Sequence, residues 1–74
     1  MIKNKNELEF VIFCIENIAI RLGISAEKIY DIFTKKSDIL SDYIVANYEA
    51  LHTQDKEYII DDILSVMKVK GIKI

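Results

Sequence analysis

No proline occurs anywhere in the 74 residues, and the first glycine is Gly23. Nothing in the first third of the chain therefore interrupts a helix. Within that stretch Leu8, Val11, Ile12, Ile15, Ile18, Ala19 and Leu22 recur at the i, i+3, i+4, i+7 spacing of one helical face. Asn6 is placed to accept a hydrogen bond from the first turn, with Glu9 three residues on in capping-box register. Gly23 fits the left-handed position past the last turn, and Ile24 follows it to pack back on the helix. These signals predict a helix over 7–22.

The same reasoning carries through the rest of the chain. Ser25 caps a second helix over 25–36, with Glu27 favouring its N-terminal dipole, Ile29, Ile32 and Phe33 forming its buried stripe, and Lys35 and Lys36 at its C-terminal end. Ser37 or Asp38 caps a third over 38–47, which carries Ile39, Leu40, Tyr43 and Ile44. Residues 48–52 have no clean period and are read as a connection. Thr53 restarts the pattern as the cap of a fourth helix over 54–70, with Asp55 and Glu57 in its first turn and Ile60, Ile63, Leu64 and Met67 as its stripe. The tail "VKGIKI" alternates apolar and charged residues. It is read as a frayed end, with a short extended strand as the alternative. No two-residue hairpin signal occurs. The expected fold is all-α, a compact single domain over 1–74 with a bundle of about four helices.

Size and charge limit what such an object can do. At 74 residues a single core supplies only about 3–5 kcal/mol without a disulfide, a metal or oligomerisation. The one cysteine, Cys14, lies in the apolar run Phe10–Ile15 and is expected to be a small buried hydrophobe with no basic neighbour to make it reactive. The start of the chain is polar, and the first apolar run is broken by Glu16 and Asn17 before it reaches membrane-spanning length. One free cysteine and no export signal point to the cytoplasm. Fifteen isoleucines and nine lysines against one arginine suggest a bacterial gene of low GC content. A net charge of −2 gives no general attraction for nucleic acid or anionic lipid.

The segment "NYEALHTQDKEYIIDD", residues 47–62, gathers the only histidine and five acids, and it is where chemistry would be sought. Catalysis by His52 would need a carboxylate or nucleophile held against it. Its neighbours Glu49 and Asp55 lie on a connection of no fixed geometry. His52 and Thr53 are therefore read as a structural junction. Glu57, Asp61 and Asp62 raise the question of a divalent metal. Asp61 and Asp62, however, point about 100° apart on a helix, and no oxygen-rich loop with a central glycine accompanies them. A solvated helix face accounts for them. One cysteine and one histidine are too few to hold zinc, and no glycine-rich loop cradles a nucleotide. No catalytic, metal or cofactor residue is assigned, and no cofactor is expected.

DNA binding is the main alternative, since the second and third helices suggest a helix-turn-helix. Residues 37–55 nevertheless contain Asp38, Asp42, Glu49 and Asp55 and no lysine or arginine. A recognition helix lies beside phosphates, which supply most of the affinity, so nucleic acid is not the expected partner.

The first helix carries more apolar side chain than one face needs. Phe10, Phe13, Cys14 and Ile20 lie off the main stripe, leaving only Glu9, Glu16, Asn17 and Arg21 as a narrow polar strip. The last helix adds Tyr58, Ile59, Val66 and Val69. A helix apolar nearly all round must be buried nearly all round. Phe10, Phe13, Tyr58, Ile59, Val66 and Val69 are therefore expected at an interface with a protein partner, most simply a second copy in a homodimer.

At "ELEFVIFCIENIA" and "NYEALHTQDKEYIIDDILSVMK" the chain resembles a family of small bacterial helical proteins known as a domain of unknown function. The resemblance spans about Glu7 to Gly71. It implies a short cytosolic helical protein, in some genomes encoded near a protein resembling an ADP-ribosyltransferase toxin, and hence an antitoxin-like or accessory role. It transfers no residue role. Members can carry a proline where this chain has Ala46, which suits a helix end there. The expected function is that of a non-catalytic interaction module.

Overall fold

A computed structural model describes residues 2–72, and among them every regular element is helical. In chain order these are α1 (Lys5–Leu22), α2 (Ala26–Thr34), α3 (Ile39–Val45), α4 (Tyr48–Leu51) and α5 (Lys56–Val69). α1 packs against α2, α3 and α5, while α3 also touches α2, α4 and α5. The long first helix is thus the element around which the others close. The radius of gyration is 11.1 Å, against about 11 Å expected for a folded chain of this length.

The helix ends follow side-chain chemistry, and three starts differ from the sequence reading. α1 is capped by Asn4, whose Oδ1 accepts from the Glu7 N–H at 2.9 Å, and not by Asn6. The Glu7 carboxylate in turn accepts from the Lys3 N–H at 2.8 Å. Ile2 packs on the core and draws the start of the helix toward the N-terminus. α5 is capped by Asp55, whose carboxylate accepts from the Tyr58 N–H at 2.9 Å. Thr53, expected in that role, instead donates its hydroxyl to the Ala50 carbonyl at 2.9 Å. That bond closes the short α4 helix, in the stretch read as a connection. Asp55→Ala should lower stability by about 1 kcal/mol, and Thr53→Ala by less. Chemical denaturation of both variants checks the order, and equal losses would return the cap to Thr53.

The third element is of the wide π type, and Asp38 at its start makes no side-chain capping bond. Ser37 spans the loop before it, donating to the Ile32 carbonyl at 2.7 Å and accepting from the Ile39 N–H at 3.4 Å. The π spacing has a packing reason. Ile39 and Ile44 are both fully buried and stand five positions apart, one wide turn. A 3.6-residue turn would rotate one of them off the core.

Both glycines close helices in the same way. Gly23 has φ +71° and Gly71 φ +72°, the left-handed conformation that glycine tolerates best. The Ile24 N–H reaches back to Ala19, and the Ile72 N–H to Met67, at 3.1 and 3.0 Å. Each isoleucine then packs on the core. The tail is therefore not free up to Ile72, since Gly71 and Ile72 form a helix cap. The extended-tail reading otherwise falls on residues 73–74, outside the described residues.

The core draws on all five helices. Its fully buried side chains include Cys14 and Ile18 of α1, Ile29 and Phe33 of α2, Ile39 and Ile44 of α3, and Ile63 of α5, while Leu51 seals it from α4. No buried side-chain polar atom among the described residues lacks a hydrogen-bond partner.

Candidate interaction surface

The residues expected at an interface divide into three groups by burial. Phe10 and Ile59 are buried in the core of the single chain. Phe10 stacks with Phe13 at 6.2 Å between ring centroids and meets the Tyr48 ring edge-on at 5.5 Å. Phe13 and Val66 are half-buried and pack against the same core. Tyr58 and Val69 are 52% and 87% exposed, on the outside of α5.

On α1 the buried arc is rotated from the expected stripe. Phe10 and Cys14 turn inward, while Leu8 and Ile12 are left 44% and 45% exposed and Ile20 78% exposed. The rotation follows from aromatic packing. Tyr48, on the unanticipated α4, fills one flank of α1 and draws Phe10 toward it. Leu8, Ile12, Glu16 and Ile20 stand four residues apart in turn, so they form one inclined ridge on the helix surface. Ile20 also borders a shallow open groove with Ala19, Gly23 and Ile24, at the turn into α2. The sequence showed the apolar excess of α1, but not which residues of it would face out.

Several charged side chains of α1 and α5 are engaged within the fold. Arg21 donates to Glu57 at 3.0 Å and to Asp61 at 3.2 Å, tying the end of α1 to the start of α5. Two of the three acids read as a solvated face, Glu57 and Asp61, thus partner the only arginine while remaining exposed. Their i, i+4 spacing opposite Arg21 on the polar strip was the signal. Tyr43 of α3 donates its hydroxyl to the Asp62 carboxylate. Burial, and then this carboxylate, push the Tyr43 phenol up to about 12. Among the described residues no group of three or more histidine, cysteine, aspartate or glutamate side chains is arranged to hold a metal ion.

The His52 ring stacks on Tyr48 with centroids 4.4 Å apart and planes 10° from parallel, extending the row Phe13–Phe10–Tyr48. Thr53 closes α4. Cys14 is fully buried, and burial pushes its thiol up to about 12. It is therefore protonated at neutral pH and a weak nucleophile.

A family model described as "Protein of unknown function (DUF3791)" matches residues 9–70. The chain belongs to that family. The match runs from the second turn of α1 to the residue after α5, so the DUF3791 unit includes Ile12 and Ile20 of the ridge, though not Leu8, and the Arg21 and Tyr43 contacts. No curated protein and no solved structure matches the chain. No described helix is long and apolar enough to cross a membrane.

Proposed function

We propose that this DUF3791 chain is a non-catalytic protein–protein interaction module that docks through the outer face of α1, most simply onto a second copy of itself. The observation that carries this reading is the ridge of Leu8, Ile12 and Ile20, exposed although the core beneath is already closed. Exposed apolar side chains grouped on one helix face of a small domain mark association surfaces, and association supplements a core this thin. The engagement of the polar groups also favours it. The acids of α5 are held by Arg21 and Tyr43, His52 is stacked on Tyr48, and the thiol is buried.

An antitoxin-like or accessory role in a bacterial cytoplasm suits a small module of this kind, with a buried free cysteine in keeping with a reducing compartment. Major-groove binding is disfavoured. The element that would read DNA is the short π-type α3, and residues 37–55 carry no basic side chain.

Mass by light scattering over a dilution series from millimolar to micromolar tests the reading. The wild type should approach twice the 8.6 kDa of the chain at the high end. Leu8→Glu and Ile12→Glu should remain folded by circular dichroism yet stay at the single-chain mass. A wild type of single-chain mass at every concentration would overturn self-association through this face.

A further inference from the structure

We infer that the cleft at the turn between α2 and α3 is a recognition pocket for one arginine side chain of a partner protein. The cleft shares no residue with the apolar ridge of α1 and lies at the other end of α2 from the groove beside Ile20. The inference therefore does not rest on the docking face proposed above.

The cleft has a volume of about 250 Å³ and is walled by Tyr30, Ser37, Asp38, Leu40 and Ser41, with the fully buried Phe33 beneath. Small-molecule sites run to roughly 300–1,000 Å³, so this one suits a single side chain. Two hydroxyls of its lining are committed to the backbone. Thr34 donates to the Tyr30 carbonyl at 2.8 Å, and Ser37 to the Ile32 carbonyl at 2.7 Å. The carboxylate is not committed. Asp38 stands where a helix cap would, yet its side chain makes no capping bond. The ion pairs among the described residues join Arg21 to Glu57 and Asp61, and Lys35 to Asp31, so Asp38 belongs to none. Tyr30, an aromatic residue left 48% exposed, flanks the same cleft.

Asp38 carries the only formal charge of the lining, so the cleft disfavours anions and selects a cation. A guanidinium matches the remaining features better than an ammonium. Its planar fork pairs with a carboxylate and its face stacks on an aromatic ring, here that of Tyr30, while its methylene stem lies over the apolar floor. The half-buried Ser41 hydroxyl supplies a further acceptor. The chain's own sole arginine, Arg21, is held by Glu57 and Asp61. The occupant therefore comes from a different protein and not from a second copy.

Amide chemical shifts of the isotope-labelled full chain, titrated with N-acetyl-arginine methylamide at constant ionic strength, test the pocket. The citrulline analogue, the same shape without the charge, and the lysine analogue are titrated alongside. The arginine probe should bind with a dissociation constant on the order of 10 mM, as one exposed ion pair and one cation–π contact give. Its shifts should concentrate in residues 34–41, and citrulline should bind at least about threefold more weakly. Asp38→Asn should weaken the arginine probe to the same degree. Asp42→Asn, which removes an exposed acid outside the cleft, should leave it within about twofold. Tyr30→Phe should bind as wild type does, and Tyr30→Ala about threefold more weakly, with circular dichroism confirming that each variant is folded. Shifts no larger than those of citrulline, shifts spread over the other faces of the chain, or an Asp38→Asn protein that binds as wild type does would each overturn the pocket. A lysine probe bound as tightly as arginine would overturn the guanidinium assignment. Association through α1 is read from mass, so none of these outcomes counts against it.

Discussion

Phe33→Ala is expected to leave the protein at or below the threshold of folding at 25 °C. Phe33 is fully buried on α2, within the core cluster to which all five helices contribute. Removing a buried phenyl ring costs about 3–5 kcal/mol, the lost transfer free energy plus the cavity that remains. A core of this size supplies about that much in total, so the substitution is comparable to the whole stability of a single chain. Even at the lower limit, the melting temperature should fall by roughly 12 °C or more. Tyr30 is the control. It lies three residues away on the same helix but is half exposed, and Tyr30→Ala should shift stability by no more than about 0.5 kcal/mol. Thermal melts followed by helix ellipticity, at one fixed protein concentration because association adds stability by mass action, distinguish the two. A Phe33→Ala protein melting within a few degrees of wild type would show that the core is looser than its burial implies.

Phe33 also shows what was legible in the sequence. The period of α2, its Ser25 cap and the Gly23 turn before it were readable from residue type and spacing alone, because each is a local interaction within about five positions. The Ser25 hydroxyl does accept from the Lys28 N–H, at 3.2 Å. What the sequence hid was settled at longer range. Asn4 and Asn6 are equally good caps by type, and the packing of Ile2 on the core chooses between them. The wide turn of α3 has no propensity signature and follows from the need to bury Ile39 and Ile44 together. The rotation of α1, which brings Leu8 and Ile12 outward, depends on Tyr48, thirty-eight positions from the Phe10 ring it meets. Apolar excess on a helix is a property of composition. Which side of the excess faces water is a property of its neighbours, and no period read along one helix contains it. The Gly71–Ile72 cap is a different case. It repeats the Gly23–Ile24 pattern and was readable, but the alternation of apolar and charged residues in the tail masks it.

Tyr43→Phe is expected to lower stability at pH 8 by about 1.5 kcal/mol, the low end for a hydrogen bond to a charged group and appropriate to a half-buried one. The bond joins α3 to α5 across nineteen positions of chain and is the side-chain hydrogen bond that holds the π-type helix against the last one. Its pH dependence follows from the phenol. Burial, the hydrogen bond to Asp62, the negative charge of that carboxylate and the nearby Tyr58 raise Tyr43 from 10 to about 12. The fold therefore favours the neutral, protonated ring. In the unfolded chain the ring ionises near 10, so the contribution is complete below pH 10 and is lost as pH rises from 10 toward 12. Other tyrosines and lysines titrate over the same range, but they are common to both proteins and cancel in the difference between them. Urea unfolding of wild type and Tyr43→Phe at pH 8, 10 and 11.5, compared at equal m-values, should show the advantage of the wild type fully present at the first and shrinking at the last. A difference that stays constant across the series would mean that the ionisation of Tyr43 is not linked to folding. A Tyr43→Phe protein as stable as wild type at pH 8 would mean that α3 is held by Ile39 and Ile44 alone.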